Sequence, residues 1–233
     1  MATFAIGDIH GHLTALDDLL AKLKQEATRG DVVVFLGDYL DRGPDPKGCV
    51  ERILAFQRNT EAEVVSLCGN HEDAFLRTLR SGRHHSWLLG MEGFDTVRSY
   101  SPEAADILLD AAYASTASLY LGEGDLPYQV FFDAIPTTHR TFFDGLVSHY
   151  RDAVCVCTHG GLDPRVTRFE DQPTRALIWG SHRFPAEYGG EETVVYGHWN
   201  NPVLNGEGWP TPRFINNTIG VDSILHGVLN YLA

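Results

Sequence analysis

Val32-Val33-Val34-Phe35-Leu36-Gly37-Asp38-Tyr39-Leu40-Asp41-Arg42-Gly43 is the stretch whose reading decides the fold. Its first five residues are apolar and mostly β-branched, so they read as a buried strand. The strand stops at a glycine, and carboxylates and a guanidinium follow at once. The same pattern recurs four times. Residues 3–6 run into Gly7-Asp8-Ile9-His10-Gly11, and residues 64–68 into Gly69-Asn70-His71-Glu72. Residues 154–157 run into Thr158-His159-Gly160-Gly161, and residues 194–196 into Gly197-His198. Between the first two strands, Leu13, Leu16, Leu19, Leu20 and Leu23 recur at helical spacing, and Val50, Ile53 and Leu54 suggest a second helix. Strands alternating with helices predict an α/β fold.

Open α/β sheets collect ligands beyond the carboxyl ends of their strands. Five such ends deliver Asp8, His10, Asp38, Asn70, His159 and His198 to one crevice. Imidazole nitrogen with carboxylate and amide oxygen, and no thiolate, suits divalent ions such as manganese, iron or zinc. One carboxylate can bridge two ions through its two oxygens. Glycines beside most of these residues let the backbone turn sharply and approach closely.

Composition sets the outer limits. The chain has 233 residues, 43% hydrophobic and 21% charged, which fits one soluble domain spanning 1–233. Its formal charge is 18 − 31 = −13, with three lysines and no basic cluster, so nucleic acid is not expected as a partner. No apolar run of about 18 residues occurs, and no membrane span is expected. The N-terminus lacks the basic start and length of a signal peptide. Cys68, Cys155 and Cys157 lie in strand-like runs, and Cys49 completes the set without any Cys-x-x-Cys pair. Reduced, structural cysteines are expected, which fits the cytoplasm. Residues 72 to about 150 differ in character: Trp87, Gly90, Gly93 and a predicted helix over 102–114 read as a helical elaboration beside the catalytic scaffold. From Thr193 onward, short strands and turns are predicted.

Several hydrolase schemes are missing from the sequence. No cysteine is followed six positions later by arginine, and no Asp-x-Asp pair, G-x-S-x-G elbow or Walker A loop occurs. A two-metal site needs no protein nucleophile, because the ions polarise a water and clamp an in-line displacement.

Taken in order, GDIHG, GDYLDRG, GNHE, HGG and GH resemble the phosphoprotein-phosphatase family of metallophosphoesterases, within the calcineurin-like superfamily. The likeness is closest to small bacterial and phage serine/threonine phosphatases. It extends to symmetrical diadenosine-tetraphosphate hydrolases, whose last motif often reads like Gly197-His198-Trp199. The resemblance implies a central β-sandwich flanked by helices. It implies that Asp8, His10 and Asp38 hold one divalent ion, and that Asp38, Asn70, His159 and His198 hold a second. Manganese is the first expectation, with iron, zinc or magnesium as alternatives. His71 would be the general acid, oriented by Asp41, and Arg42 would hold phosphoryl oxygens. The family often has an arginine two residues after the tryptophan of a Leu-Trp or Ile-Trp pair. Here Ile178-Trp179 is followed by Gly180-Ser181, so the second clamp is assigned to Arg183, with Arg175 as the fallback. The family's Ile-Asp-Thr-Gly becomes Val221-Asp222-Ser223-Ile224, without its glycine. His12, Glu72 and Asp222 are read as structural or supporting. His84, His85, His139, His149, His182 and His226 carry no ligand motif, and His182 is notable only for neighbouring Arg183.

The expected activity is hydrolysis of phosphomonoesters, on phosphoserine and phosphothreonine proteins and small aryl phosphates. Cleavage of diadenosine tetraphosphate or a small diester is the alternative. A metal-binding scaffold without catalysis is a third reading, and it is disfavoured because it has no need of His71, Asp41 and Arg42.

Overall fold

Period-two alternation along β1 (Thr3–Ile6) and β2 (Val32–Phe35) divides their side chains between two cores. The computed structural model describes residues 2–115, 118–119, 124–201, 210–224 and 229–232. In β1 (Thr3–Ile6), Phe4 and Ile6 join a core beneath helices, while Ala5 joins a core on the other face. In β2 (Val32–Phe35), Val33 and Phe35 face the helices, and Val32 and Val34 face away from them. Strand β3 (Glu63–Ser66) extends this sheet, and β9 (Tyr231–Leu232) closes its other edge, giving the order β3-β2-β1-β9. The second sheet has the order β4-β5-β6-β8-β7, from His149–Arg151, Cys155–Thr158, Thr193–Tyr196, Thr218–Gly220 and Arg213–Ile215 in that spatial order.

The away-facing residues of both sheets form one cluster. Ala5, Val32, Val34 and Leu36 from the first sheet meet Cys155, Cys157, Val195 and Val221 from the second. The architecture is therefore α/β, a central β-sandwich flanked by helices. Its interior holds two of the four free, buried cysteines. On the outer face of the second sheet, Val194 and Tyr196 pack with Leu162, Leu177 and Phe184.

Helices cover the first sheet. In α1 (Leu13–Glu26), Leu16, Leu19, Leu20 and Leu23 are the buried positions, one stripe of the helix. Helix α2 (Pro46–Asn59) starts with proline at its first position, and Asp45 accepts from Gly48 N at 2.8 Å. Helix α3 (Asn70–Ser81) begins directly at the GNHE motif and ends on Gly82, which takes the left-handed conformation at φ 67°. Between β3 and β4 the described elements are helices: α3 is followed by α4 (Ser86–Gly90), α5 (Gly93–Tyr100), α6 (Pro102–Ala114), α7 (Gln129–Phe132) and α8 (Thr137–Asp144). An aromatic cluster of Phe75, Trp87, Phe131 and Phe143 ties this stretch to α3. Helix α9 (Thr174–Trp179) follows β5. Among the described residues, no helix is long and apolar enough to cross a membrane.

Strand direction decides where the chemistry gathers. β1, β2 and β3 pair in parallel, and so do β5, β6 and β8. Three parallel ends in each sheet open onto one rim of the sandwich.

Candidate metal centre

The rim is built from sharp turns. His10, Asp38, Asp41, Arg42 and His198 all hold positive φ, between 42° and 67°. Residues other than glycine seldom do this, and clusters of them mark sites where geometry is imposed by the surrounding structure. Two glycines make the imposition possible. A Cβ on Gly37, whose φ is +113°, would stand 2.6 Å from Gly69 N, so the GDYLDRG and GNHE turns meet backbone to backbone. A side chain at Gly197 would strike the Asp8 carboxylate.

Asp38 lies at the centre. His10, Asp38 and His71 form one triad and Asp38, His159 and His198 another, with ligand-capable atoms within 4.8 Å of each other in each. His10 Nε2 is 3.4 Å from Asp38 Oδ2, and His159 Nε2 is 3.4 Å from Asp38 Oδ1. Thus the two carboxylate oxygens face two different imidazoles. Asn70 Oδ1 lies 2.9 Å from His159 Nε2 and 2.8 Å from His198 Nδ1. The Asp8 carboxylate, also buried, accepts from the His198 backbone N at 3.0 and 3.1 Å.

Hydrogen bonds on the far side of the rings fix what these nitrogens offer. His10 Nδ1 donates to Leu40 O at 2.8 Å, and His159 Nδ1 donates to Leu36 O at 3.1 Å. In the neutral imidazoles, each Nε2 is then a lone pair facing a carboxylate. Converging lone pairs and carboxylates need a cation, and neutral imidazole, carboxylate and amide oxygen are the donor set that divalent ions accept. The residues fit two metal ions. Without an ion, protons must serve. Burial would lower both imidazoles, yet the Asp38 hydrogen bonds and charge, with the Asp8 charge, raise His10 and His159 to about 9. Burial would raise Asp38, but the charges of His159 and His71 and the His10 and His159 hydrogen bonds hold it well below the usual range. Burial and the Asp222 charge push Asp8 well up, and burial, then the His159 charge, lower His198 to about 3.

Beside this cluster sits a second arrangement. His71 Nδ1 is 2.7 Å from Asp41 Oδ2, and both side chains are fully buried. Its Nε2 has no partner and points at the cluster, 4.0 Å from Asp38 Oδ2. Arg42 is exposed, and its Nη1 reaches His10 Nε2 at 3.0 Å. Its Nε lies 3.9 Å from Glu92.

Some candidates stand elsewhere. Arg183 Nη1 bonds both carboxylate oxygens of Glu187 at 2.9 and 3.0 Å, one turn along its own segment. Arg175 is exposed, with its guanidinium 5.7 Å from the centre of the Trp179 ring. Neither has a contact to the Asp38 cluster among the described residues. Trp199 is half-buried, its Nε1 donates to Gly160 O at 3.1 Å, and its ring covers Gly180. His85 bonds Tyr128 and Gly124 O, His139 bonds Tyr100, and His182 is exposed. His226 lies outside the described residues.

The sequence assigns Glu72 and Asp222 structural or supporting roles, and the structure shows the surroundings of each. The Glu72 carboxylate accepts from four backbone N–H groups, those of Asp38, Tyr39, Leu40 and Gly69, at 2.8 to 3.1 Å. It pins the GDYLDRG turn to the first turn of α3. Burial and the Asp38 charge push it to about 7 against those donors. Asp222 follows the sixth parallel strand end, is buried, and has an unpartnered Oδ1. Its signal in the sequence is Gly220-Val221-Asp222, a shortened form of the apolar-then-carboxylate pattern.

The asymmetrical bis(5'-nucleosyl)-tetraphosphatase PrpE of Oceanobacillus iheyensis is 23% identical over 94% of this chain and 82% of its own length. Serine/threonine-protein phosphatase 1 of Salmonella typhimurium is 35% identical over 37% of each chain. A crystal structure of a protein put forward as a diadenosine tetraphosphatase superposes with a TM-score of 0.60 at 21% identity, covering 98% of this chain and 87% of the other. That likeness establishes the fold alone. Calcineurin-like phosphoesterases as a family match residues 1–227, nearly the whole chain. The chain belongs to the calcineurin-like phosphoesterase family and is a metal-dependent phosphoester hydrolase.

Proposed function

We propose that this enzyme hydrolyses phosphomonoesters with alkoxide or phenoxide leaving groups, phosphoserine and phosphothreonine side chains among them. The observation that carries this reading is the buried Asp41–His71 pair, with His71 Nε2 unpartnered and aimed at the cluster. A general acid helps most when the leaving group is a strong base, as an alkoxide is, and least when it is a nucleotide phosphate. In this reading Asp8, His10 and Asp38 hold one ion, and Asp38, Asn70, His159 and His198 hold the other. Two ions bound there, manganese by preference, would neutralise phosphoryl charge and polarise the attacking water. Asp41 keeps His71 Nδ1 protonated, and His71 gives the proton on Nε2 to the departing oxygen. Arg42 turns from His10 to the phosphoryl oxygens, where its planar fork makes two parallel hydrogen bonds. Arg183 drops out of the phosphate clamp in this reading, because Glu187 already engages it.

A second reading, hydrolysis of dinucleoside tetraphosphates, has its own support. The tetraphosphatase relative aligns along most of the chain, whereas the serine/threonine phosphatase relative aligns over 86 residues. With one clamping arginine, the preference for a dianionic monoester also weakens. Against this, Trp199 is packed on the Gly160 and Gly180 turns, with its N–H engaged, so base stacking is not its evident task. The deciding measurement is kcat/KM for a phosphothreonine peptide against diadenosine tetraphosphate in the same manganese buffer. The peptide is expected to win. A clear advantage for the dinucleotide replaces this reading with the second.

A further inference from the structure

Asp41 is held by more than its histidine. Its Oδ2 accepts from His71 Nδ1 at 2.7 Å and from Trp87 Nε1 at 2.9 Å. Its Oδ1 accepts from Thr96 Oγ1 at 2.5 Å, and its own backbone N donates to the same Oγ1 at 2.9 Å. The Asp41 backbone is at φ 67°, a conformation that an aspartate holds only when its surroundings enforce it. Trp87 and Thr96 are 0% and 1% exposed. The indole is immobilised by Phe75 at 5.1 Å and Phe131 at 5.9 Å between ring centroids. Gly93 closes behind it, since a Cβ there would meet the ring at 2.9 Å. Trp87 lies on α4 and Thr96 on α5, in the helical stretch that supplies no group to either triad after α3.

We infer that Trp87 and Thr96 are positioning residues for the leaving-group proton transfer, acting through Asp41 on His71. The inference rests on the reading of His71 as general acid. A buried carboxylate with only one donor is free to swing about its last torsion, and the imidazole swings with it. Here three donors occupy both oxygens. They fix the carboxylate plane, so Asp41 accepts from His71 in a single orientation. Neither residue touches a ligand-capable atom of the metal triads other than through this pair. Helices α4 and α5 therefore serve the chemistry, in addition to packing on α3 and on α2 respectively.

The test compares two substrates, a phosphothreonine peptide and p-nitrophenyl phosphate, across four variants in manganese buffer. Thr96→Val keeps the shape and removes the hydroxyl, Thr96→Ser restores it, Trp87→Phe removes the N–H, and His71→Asn removes the acid. Thr96→Val and Trp87→Phe are expected to lower kcat on the peptide roughly tenfold, within the about 10²–10⁴-fold reach of general acid catalysis. KM and bound metal per chain stay as in the parent. The aryl ester, whose phenolate leaves unaided, loses less than about twofold, and Thr96→Ser recovers the peptide rate. If His71→Asn is selective for the peptide while Thr96→Val slows both esters equally, or neither, the positioning role is overturned and His71 keeps its own. Loss of metal from Thr96→Val or Trp87→Phe overturns it also. If His71→Asn itself slows both esters equally, the general-acid reading falls and takes this inference with it. Should Trp87→Phe not fold, the Thr96 pair decides alone.

Discussion

Asp38 is the residue on which both triads depend, since each of its oxygens faces a different imidazole. Asp38→Asn leaves the shape unchanged but removes the shared charge. The variant is expected to bind neither ion, whereas His198→Asn keeps the ion of the other triad. Elemental analysis of the purified proteins reads this directly, and two ions bound to Asp38→Asn would contradict the shared-ligand arrangement. Gly37 governs the same residue from the backbone. Gly37→Ala sets a Cβ against Gly69 N and Gly69 Cα at 2.6 and 2.7 Å, on a φ of +113°. Overpacking against backbone together with the left-handed cost should destabilise the fold by about 2–4 kcal/mol. A urea midpoint equal to the parent's would show that the two turns separate freely.

The element that sets the site is the first turn of α3. Asn70 and His71 leave it in two directions, toward the second triad and toward Asp41, while Glu72 reaches back to four N–H groups of the neighbouring turns. Three of those donors lie in the stretch that carries Asp38, so the helix and the strand-end loop are one unit. Glu72→Gln brings an NH₂ group against N–H donors. Leaving buried donors unsatisfied costs about 1–3 kcal/mol each, so a loss of roughly 2–4 kcal/mol is expected. Measured by denaturant unfolding in chelator, the loss should persist without metal, because the bonds are internal to the chain. If the difference vanished in chelator, Glu72 would act through the ions instead.

Across the whole molecule, the cluster links protons, metal and stability. His10 and His159 are raised to about 9 in the metal-free fold, above the usual 6.5. Their contribution to stability is fully present below about 6.5 and is lost as pH rises through about 9. In the proposed arrangement metal ligation needs both imidazoles neutral and Asp8 ionised, so binding would release protons and tighten as pH rises. An ion at about 100 times its Kd stabilises the fold by roughly 2.7 kcal/mol. The rise in Tm on adding manganese to chelated protein should therefore grow steadily from pH 6 to pH 9. A rise that shrinks over this range would mean that the two histidines are not metal ligands.

Much of this is legible in the sequence alone. Short β-branched runs ending in Gly-Asp, Gly-Asn-His and Gly-His identify strands and the residues at their ends, because a strand's hydrophobic run and the break after it are local properties. The helix at Pro102–Ala114 was legible for the same reason, through its proline start and apolar spacing. Tertiary structure alone decided which groups meet. Trp87 and Thr96 are 46 and 55 residues from Asp41 in the chain, with no pattern that ties an indole or a hydroxyl to a distant carboxylate. Arg183 shows the converse. Its place near the Ile178-Trp179 pair suggests a phosphate clamp, and in the structure its guanidinium bonds Glu187, one turn away. Sequence determined the candidate ligand types and their order, because strand ends and the breaks after them are local features. The hydrogen bonds that orient Asp41 and His71 depend on long-range packing, and only the folded chain fixes them.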